Sequence, residues 1–284
     1  MDDDWLDEAI WRKANPSLGV TVNLDYLQAE ARRAEQTPAY QNTFRRLHLN
    51  QWTQQETRWL SLEAWNACNR PLDLAELKTL KCFGGLDLAS SSDIAALVLV
   101  FVEEGSDEFY WVLPRFFIPK ENMIERGRKD RVPYDAWVRD GYMVATEGNV
   151  IDYDVIAHEI ETLGAEFNIL EIAFDPWGAF QISQQLAAKG FTVVQFRQGF
   201  VSMSQPTKDL LRLVLAQRLA HGGHPVLRWM ADNLVVSTDA SNNVKPDKKK
   251  SREKIDGMVA LVMALARAIV NRGTAPAAVP RIRV

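Results

Sequence analysis

The clearest hydropathy pattern in the chain is a pair of apolar segments joined by polar residues. Residues Phe83–Leu88 form a short apolar segment, polar residues follow at 90–93, and Ile94–Val102 is then apolar throughout. This pattern predicts a β-hairpin whose second strand is buried on both faces. Asp87 is the exception, because it places a carboxylate inside an apolar strand. A buried carboxylate is costly unless it is compensated, so we expect a hydrogen bond or a bound cation at Asp87.

Two more acidic residues stand in apolar surroundings. Asp175 follows a predicted strand at 170–174 and precedes a proline that ends the strand ladder. Asp256 lies in the first turns of a helix that is apolar on nearly every face from Met258 to Val270, so we expect it to be buried. Taken singly, Asp87 could accept backbone N–H groups, Asp175 could be a turn residue, and Asp256 could favour the helix start. A shared divalent cation accounts for all three acids at once.

The rest of the pattern alternates between helical and strand periods. Three helices are expected within residues 1–50, and a tryptophan-rich stretch at 52–65 ends in a helix from about Leu62. A third strand is expected at 108–118, where Pro114 indicates an edge position or a bulge. Further helices are predicted at 120–131, 134–140, 153–167, 179–189 and 206–221, with strands at 170–174 and 192–196 and a hairpin near 234–243. This order predicts a mixed α/β fold.

The chain divides into three predicted parts. Residues 1–50 form a separate helical unit, residues 51–272 form one α/β domain, and residues 273–284, rich in Pro, Ala and Arg, form a flexible tail. The sequence contains no internal repeat, no GxxxxGKS/T phosphate loop, no zinc-ligand spacing and no GxSxG nucleophile motif. Nucleotide binding through such a loop is therefore not expected.

Composition excludes several classes of protein. The chain has 284 residues, of which 47% are hydrophobic, which is enough for a substantial core. Its two cysteines, Cys68 and Cys82, show no metal-ligand spacing, and we find no secretory segment, so we expect reduced thiols in a cytoplasm. The longest apolar runs are too short or too strand-like to cross a bilayer, so membrane association is not expected.

Charge is distributed unevenly along the chain. The net charge is −4, yet residues 207–284 hold 14 Lys and Arg against 6 Asp and Glu. The densest basic stretch, Lys245–Lys254, comes immediately before Asp256. Such a run is often only a solvated loop, but beside a metal-binding carboxylate it is what a phosphodiester substrate requires.

Two secondary candidates accompany the three acids. Asp93 lies across the hairpin turn from Asp87 and is a fourth candidate metal ligand, with capping of the hairpin as its alternative role. His221 and His224 flank two glycines that indicate the end of a helix, so metal ligation by this pair is the less favoured interpretation.

Seven segments between about residue 40 and residue 270 follow one another in this order: FRRLHLNQWTQQETRWLSLEAW, GGLDLASSSDIAAL, RDGYMVATEGNVIDYD, IAFDPWGAFQ, QGFVSMSQPTKDLL, HGGHPVLRWMADN and KSREKIDGMVALVMALARA. In sequence and in order, these segments resemble the nuclease portion of tailed-bacteriophage terminase large subunits. One departure follows the second acid, where relatives tend to have Arg and then Trp-Asn. This chain has Pro176, Trp177 and Gly178 instead, so a phosphate contact at Pro176 is not expected.

The resemblance implies a ribonuclease-H-like mixed sheet flanked by helices, with residues 1–50 as a helical connector to an ATPase domain that is absent from this sequence. It implies metal-dependent cutting of double-stranded DNA during genome packaging, in the host cell cytoplasm, with the terminase small subunit and the portal as partners. Asp87, Asp175 and Asp256 match the acidic triad of the family and would bind two Mg²⁺ or Mn²⁺ ions. Among the basic residues, DNA contacts are expected at Lys248, Lys249, Lys250 and Lys254.

Two other functions remain compatible with these residues. One is a different ribonuclease-H-like enzyme acting on nucleic acid, such as a transposase or a resolvase. The other is a non-catalytic DNA-binding or assembly module of the packaging machine, in which the acids are structural. Metal-dependent nicking of a plasmid distinguishes a nuclease from a binding module.

Overall fold

The structure is a computed structural model that describes residues 4–36, 38–51, 59–88, 93–103, 108–121 and 123–272. The helices are α1 (Glu8–Ala14), α2 (Leu24–Gln36), α3 (Pro38–Leu49), α4 (Leu62–Ala67), α5 (Leu74–Leu77), α6 (Met123–Asp130), α7 (Tyr134–Arg139), α8 (Tyr153–Glu166), α9 (Phe180–Ala188), α10 (Phe200–Leu215), α11 (Pro225–Asn233) and α12 (Asp256–Val270). The strands are β1 (Lys81–Asp87), β2 (Ala95–Val102), β3 (Tyr110–Pro119), β4 (Val144–Thr146), β5 (Asn168–Phe174), β6 (Val193–Gln195), β7 (Leu219–Ala220), β8 (Val236–Thr238) and β9 (Val244–Pro246). The predicted tail at 273–284 lies outside the described residues.

Seven strands form one mixed sheet in the order β4-β3-β2-β1-β5-β6, with β7 also pairing with β3. Strands β1, β2 and β3 are antiparallel neighbours, as the hairpin pattern predicted, whereas β5 and β6 run parallel to β1. Helices cover both faces of the sheet. Alternate residues of β2 therefore enter two separate apolar clusters, one with α10, α11 and α12 and the other with α8 and α9. This placement explains why β2 is apolar at every position.

Pro114 lies where β3 lacks a strand neighbour on one side. On that side β7 pairs with Tyr110–Trp111 and β4 pairs with Phe117–Pro119. No strand in the described part of the chain pairs with residues 112–116 there. The missing N–H of proline therefore removes no ladder hydrogen bond on that side, and the predicted edge position is confirmed locally.

Helix α10 differs from its prediction at both ends. It begins at Phe200, six residues before the expected start, and Pro206 lies inside it. The buried stripe that includes Met203 and Leu210 holds the helix together across the proline, because apolar burial outweighs the lost hydrogen bond. The expected end at His221 is also wrong, since residues Leu219–Ala220 pair with β3 as a strand.

The three N-terminal helices pack mainly on one another around their own apolar cluster, which includes Trp11, Leu27 and Phe44. Asn23 caps helix α2, because its Oδ1 accepts the backbone N–H of Asp25 at 2.8 Å. Helix α1 begins at Glu8, since Asp7 caps it by accepting the N–H of Ala9. None of the helices in the described residues is long and apolar enough to span a bilayer.

Helix α12 packs directly against the centre of the sheet, and a glycine makes this approach possible. A Cβ atom placed on Gly85 of β1 would overlap the carbonyl oxygen of Ala260. The first turn of α12 is also crowded, because a Cβ on Gly257 would lie 2.6 Å from the ring of Phe116. These contacts fix the start of α12 beside the end of β1, which is where the candidate site lies.

Candidate active site

Asp87 and Asp256 come together at the carboxyl end of β1. Asp87 is the last residue of β1, and Asp256 is the first residue of α12. Both residues are buried, with 3% and 4% of their surface exposed. The predicted burial of Asp256 is thereby confirmed, and two of the three predicted acids share one site.

The ammonium group of Lys248 lies between these two carboxylates. Lys248 follows β9, and its Nζ is 2.7 Å from Asp256 Oδ1 and 2.6 Å from Asp87 Oδ2. The contact with Asp256 is a hydrogen bond, whereas the contact with Asp87 is an ion pair without hydrogen-bond geometry. Lys248 was expected to contact DNA phosphates, but in this structure its charge is directed into the acidic pair.

The acidic pair has the donor set of a site for a hard cation. Asp87 Oδ2 and Asp256 Oδ2 are both buried, and neither accepts a hydrogen bond from any described residue. Buried carboxylate oxygens of this kind are costly unless a positive charge lies beside them. Carboxylate oxygens suit Mg²⁺ or Mn²⁺, and the ammonium of Lys248 already lies where a cation would contact both residues. The residues therefore fit the predicted metal.

Burial and charge oppose each other within this group. Burial raises the pKa of the Asp256 carboxyl, and the ion pair with Lys248 only partly offsets that effect. Burial lowers the pKa of the Lys248 ammonium, but the two neighbouring carboxylates outweigh burial and the net pKa is raised. The arrangement favours a charged lysine held by the acids.

Gln198 orients Asp87 and was not among the predicted site residues. Its side-chain Nε2 donates to Asp87 Oδ1 at 3.0 Å. Lys245, in strand β9, donates from Nζ to the carbonyl oxygen of Gln198 at 3.3 Å. Gln198 follows β6, whose end lies at the same sheet edge as the ends of β1 and β5. A polar residue after a short parallel strand was the available sequence signal, and it is a weak one.

Asp175 lies beside Asp87 along the backbone but does not join the acidic pair. Strands β1 and β5 are parallel with Leu86 opposite Phe174, so Asp87 and Asp175 follow at neighbouring positions. The carboxylate of Asp175 instead accepts the backbone N–H of Trp177 at 3.1 Å. Among the described residues, no group of three or more His, Cys, Asp or Glu side chains is arranged to hold a metal ion. Asp175 thus adopts the turn-residue alternative in this structure.

Asp93 forms ion pairs with two basic side chains, Arg126 and Lys254. Its Oδ1 accepts from Arg126 and from the backbone N–H of Ile94, and its Oδ2 accepts from Lys254. Burial acts to raise the pKa of Asp93, but Lys254 and Arg126 outweigh it and the pKa is lowered. Asp93 therefore forms a separate ion-pair cluster, and Lys254 is committed to that cluster.

The remaining predicted lysines, Lys249 and Lys250, are exposed. Their backbone N–H groups donate to Asp247 Oδ1 at 2.9 and 3.1 Å, which fixes the turn after β9. Of the four predicted DNA-contact residues, these two are exposed and form no ion pair with an acid among the described residues, so DNA contact at Lys249 and Lys250 stays a prediction.

A cleft of about 740 Å³ opens next to Asp256. Helix α6 contributes Arg126 and Lys129 to its lining, and the segment after β9 contributes Lys248 and Arg252. Acidic residues alternate with these cations around the cleft, among them Glu125. The cleft gives solvent access to Asp256 and Lys248 from the side of α6.

His221 and His224 have structural roles. His221 stacks on Trp65 with ring centroids 4.3 Å apart, donates from Nε2 to the Trp65 carbonyl at 2.8 Å, and accepts the N–H of Gly223 at Nδ1. His224 packs against the rings of Phe116 and Tyr142. Burial lowers the pKa of both histidines, so both are neutral within the fold.

Comparison with known proteins identifies related sequences along almost all of the chain. The family model of the terminase large subunit, endonuclease domain, matches residues 1–272. The terminase large subunit of Enterobacteria phage HK97 is 36% identical over 261 residues, which cover 91% of this chain and 51% of that protein. Protein YmfN of Escherichia coli K12 is 32% identical over 277 residues, covering 94% of this chain and 61% of that protein.

A solved structure agrees with these sequence matches. The crystal structure of the HK97 bacteriophage large terminase superposes with a TM-score of 0.69 at 35% identity, over 94% of this chain and 55% of that chain. The chain therefore spans about half to three-fifths of the length of these two curated relatives.

Proposed function

Since the chain belongs to the family of terminase large-subunit endonuclease domains, with a ribonuclease-H-like mixed sheet flanked by helices, we propose that it cuts double-stranded DNA in a metal-dependent reaction. The reaction is hydrolysis of a phosphodiester, in which water adds to phosphorus as the bond to the 3′ oxygen breaks. The products are a 5′-phosphate and a 3′-hydroxyl.

One observation carries this proposal. Two buried carboxylates, Asp87 and Asp256, lie around a single positive charge at the carboxyl end of a central strand. Each carboxylate has one buried oxygen, Oδ2, that accepts no hydrogen bond from a described residue, and these carboxylates would supply hard donors for two Mg²⁺ or Mn²⁺ ions. Bound divalent ions would stabilise the charge that develops on the phosphoryl group.

The residues of the chain would hold and orient the reacting groups. Gln198 fixes Oδ1 of Asp87, while Oδ2 lies beside Lys248, in the position that a cation shared with Asp256 would occupy. We include Asp175 as a third ligand, since its backbone neighbours Asp87 and a change of side-chain rotamer is enough to break its bond to Trp177. Lys249 and Lys250 would bind DNA phosphates beside the site.

The relatives, which are longer than this chain, support a proposal about the complex in which the domain acts. We propose that the domain acts in the host cytoplasm within a packaging complex that includes an ATPase domain, the terminase small subunit and the portal. Helices α1–α3, which have their own apolar cluster, would connect the nuclease to the ATPase domain. Partner proteins would then supply the DNA end, since the exposed lysines beside the site suit phosphates rather than base edges.

A non-catalytic assembly module is the second candidate, and one observation favours it. Lys248 already places a positive charge between the two acids, and Asp175 bonds within its own turn, so each acid has a partner in the protein without a metal. In that case the acids and Lys248 would only stabilise the packing of α12 on the sheet.

Cutting of a supercoiled plasmid distinguishes the two candidates. The chain is incubated with Mg²⁺, with Mn²⁺ or with EDTA, and Asp256→Asn provides the matched inactive control. The nuclease proposal expects nicked and linear products with either metal, and none with EDTA or with the variant. Intact plasmid under every metal condition, with DNA still bound, would favour the assembly module.

A further inference from the structure

We propose that Lys248 is the residue that sets the metal affinity of the acidic pair: its ammonium holds the cation position between Asp87 and Asp256, and a divalent ion binds only when Lys248 leaves. This inference rests on the proposed metal-dependent function and assigns a competing group within the same site. Lys248 would act on metal binding through these two carboxylates, without contacting the substrate.

The geometry places the ammonium where both acids direct an oxygen. Nζ lies within 2.7 Å of one oxygen from each carboxylate, so the ammonium takes the position between these two oxygens that a single bridging divalent ion would need. Asp87 and Asp256 belong to elements that are far apart in the chain, so the pair depends on the α12–β1 packing and not on Lys248 for its position. The two carboxylates are therefore in place before a metal binds, and the Lys248 ammonium lies between them. A divalent ion has to compete with this ammonium.

The side chain of Lys248 has a route out of the site. It is 41% exposed although both of its partners are buried, and it forms part of the lining of the cleft beside Asp256. Strand β9 is also held by contacts that do not involve Lys248: Lys245 donates to the Gln198 carbonyl, and Gln198 donates to Asp87. A rotation of the Lys248 side chain therefore vacates the cation position while β9 stays in place.

Charge makes the exchange selective for divalent ions. Two carboxylates carry a charge of −2, which one ammonium neutralises only by half, whereas a divalent ion neutralises it fully. The apparent affinity of a ligand falls in proportion to the fraction of molecules whose site is open. If Lys248 is out of the site in about one molecule in ten, the wild-type dissociation constant for metal is about tenfold weaker than in a protein without this ammonium.

Titration of the purified chain with Mn²⁺, monitored by calorimetry or by the electron paramagnetic resonance signal of unbound Mn²⁺, tests the inference. Lys248→Met removes the ammonium while keeping the length of the side chain, and Lys248→Gln is a second, polar replacement. Lys250→Met is the matched control, since it makes the same charge change two residues later on an exposed side chain. DNA is left out, so the measurement does not depend on cutting.

We expect both Lys248 variants to bind Mn²⁺ about tenfold more tightly than the wild type, and Lys250→Met to bind within about twofold of it. In thermal unfolding, Lys248→Met should be less stable than the wild type in EDTA and should gain more from added Mn²⁺. Metal binding that is unchanged or weaker in the Lys248 variants would overturn the inference and leave the nuclease proposal standing. Absence of Mn²⁺ binding in all four proteins would instead overturn the metal-dependent function itself.

Discussion

Gly85 lies so close to helix α12 that a Cβ atom there would overlap the carbonyl oxygen of Ala260 and lie 2.8 Å from the backbone nitrogen of Ala264. Both contacts are with backbone atoms, which cannot move aside as the end of a flexible side chain can. The packing of α12 on β1, and with it the meeting of Asp87 and Asp256, therefore depends on the absence of a side chain at position 85.

We expect Gly85→Ala to lower the free energy of unfolding by at least about 3 kcal/mol, the upper end of ordinary overpacking costs. Urea denaturation in EDTA measures this. Gly199→Ala is the control, because a Cβ at Gly199 meets nothing within 4 Å, and its effect should stay within about 1 kcal/mol. Equal effects of the two substitutions would show that close approach at Gly85 is not what limits the packing.

Neutralising either buried acid should abolish cutting without unfolding the protein. We expect Asp87→Asn and Asp256→Asn to reduce metal-dependent cutting by at least about 100-fold, because each substitution removes a carboxylate ligand of the proposed divalent ions. The free energy of unfolding in EDTA should stay the same or rise, because the repulsion between the two buried carboxylates is removed. Lys248 still pairs with the carboxylate that remains. Plasmid cutting and urea denaturation provide the two measurements, and near wild-type cutting by either variant would remove that residue from the site.

Asp175 makes a separate prediction, because its carboxylate does not contact the acidic pair. If it completes the site when metal binds, Asp175→Asn should cut at least about 100-fold more slowly and should bind Mn²⁺ more weakly. The N–H of Trp177 still finds an acceptor in the asparagine side chain, so the turn is retained. Wild-type metal affinity in this variant would restrict the site to Asp87 and Asp256.

The exposed lysines beside the site should contribute DNA affinity but not chemistry. We expect the double variant Lys249→Gln, Lys250→Gln to weaken binding uniformly across sequences and to reduce the salt slope by up to about 0.9 for each phosphate that is no longer neutralised. A double replacement of Lys78 and Lys189 by Gln, which removes lysines paired with Glu166 and Glu161, is the matched control. Identical salt slopes for the two double variants would mean that residues 249 and 250 belong to an ordinary solvated loop.

The neutral state of His224 makes stability depend on pH. Burial lowers the pKa of His224 from 6.5 to about 4, so the unfolded chain binds more protons than the folded chain between these values. The free energy of unfolding therefore falls as the pH drops through this window, by up to about 3 kcal/mol from this residue. In His224→Phe, which keeps a ring against Phe116 and Tyr142, denaturant titrations at pH 7 and pH 4.5 should differ less than in the wild type. An equal pH dependence would assign the effect to other groups.

Local sequence patterns were enough to predict the sheet centre and the burial of two acids. A strand that is apolar at every position has to be covered on both faces, so the place of β2 follows from its residues alone. An acid at the start of an all-apolar helix is carried into the interior with that helix, which is why Asp256 was predicted to be buried. The mixed α/β order followed from the same local patterns, whereas the resemblance to the terminase nucleases rested on seven sequence segments in the order of that family.

Which charges meet depends instead on the folded chain as a whole. Lys248 contacts Asp87, Gln198 donates to Asp87 from 111 residues away, and Lys254 pairs with Asp93 from 161 residues away. Long polar side chains have many rotamers, and local sequence does not indicate which buried carboxylate each will reach. The start of α10 before Pro206 could not be predicted from local sequence for a related reason. Proline disfavours the interior of a helix, but burial of the apolar stripe of α10 outweighs that preference.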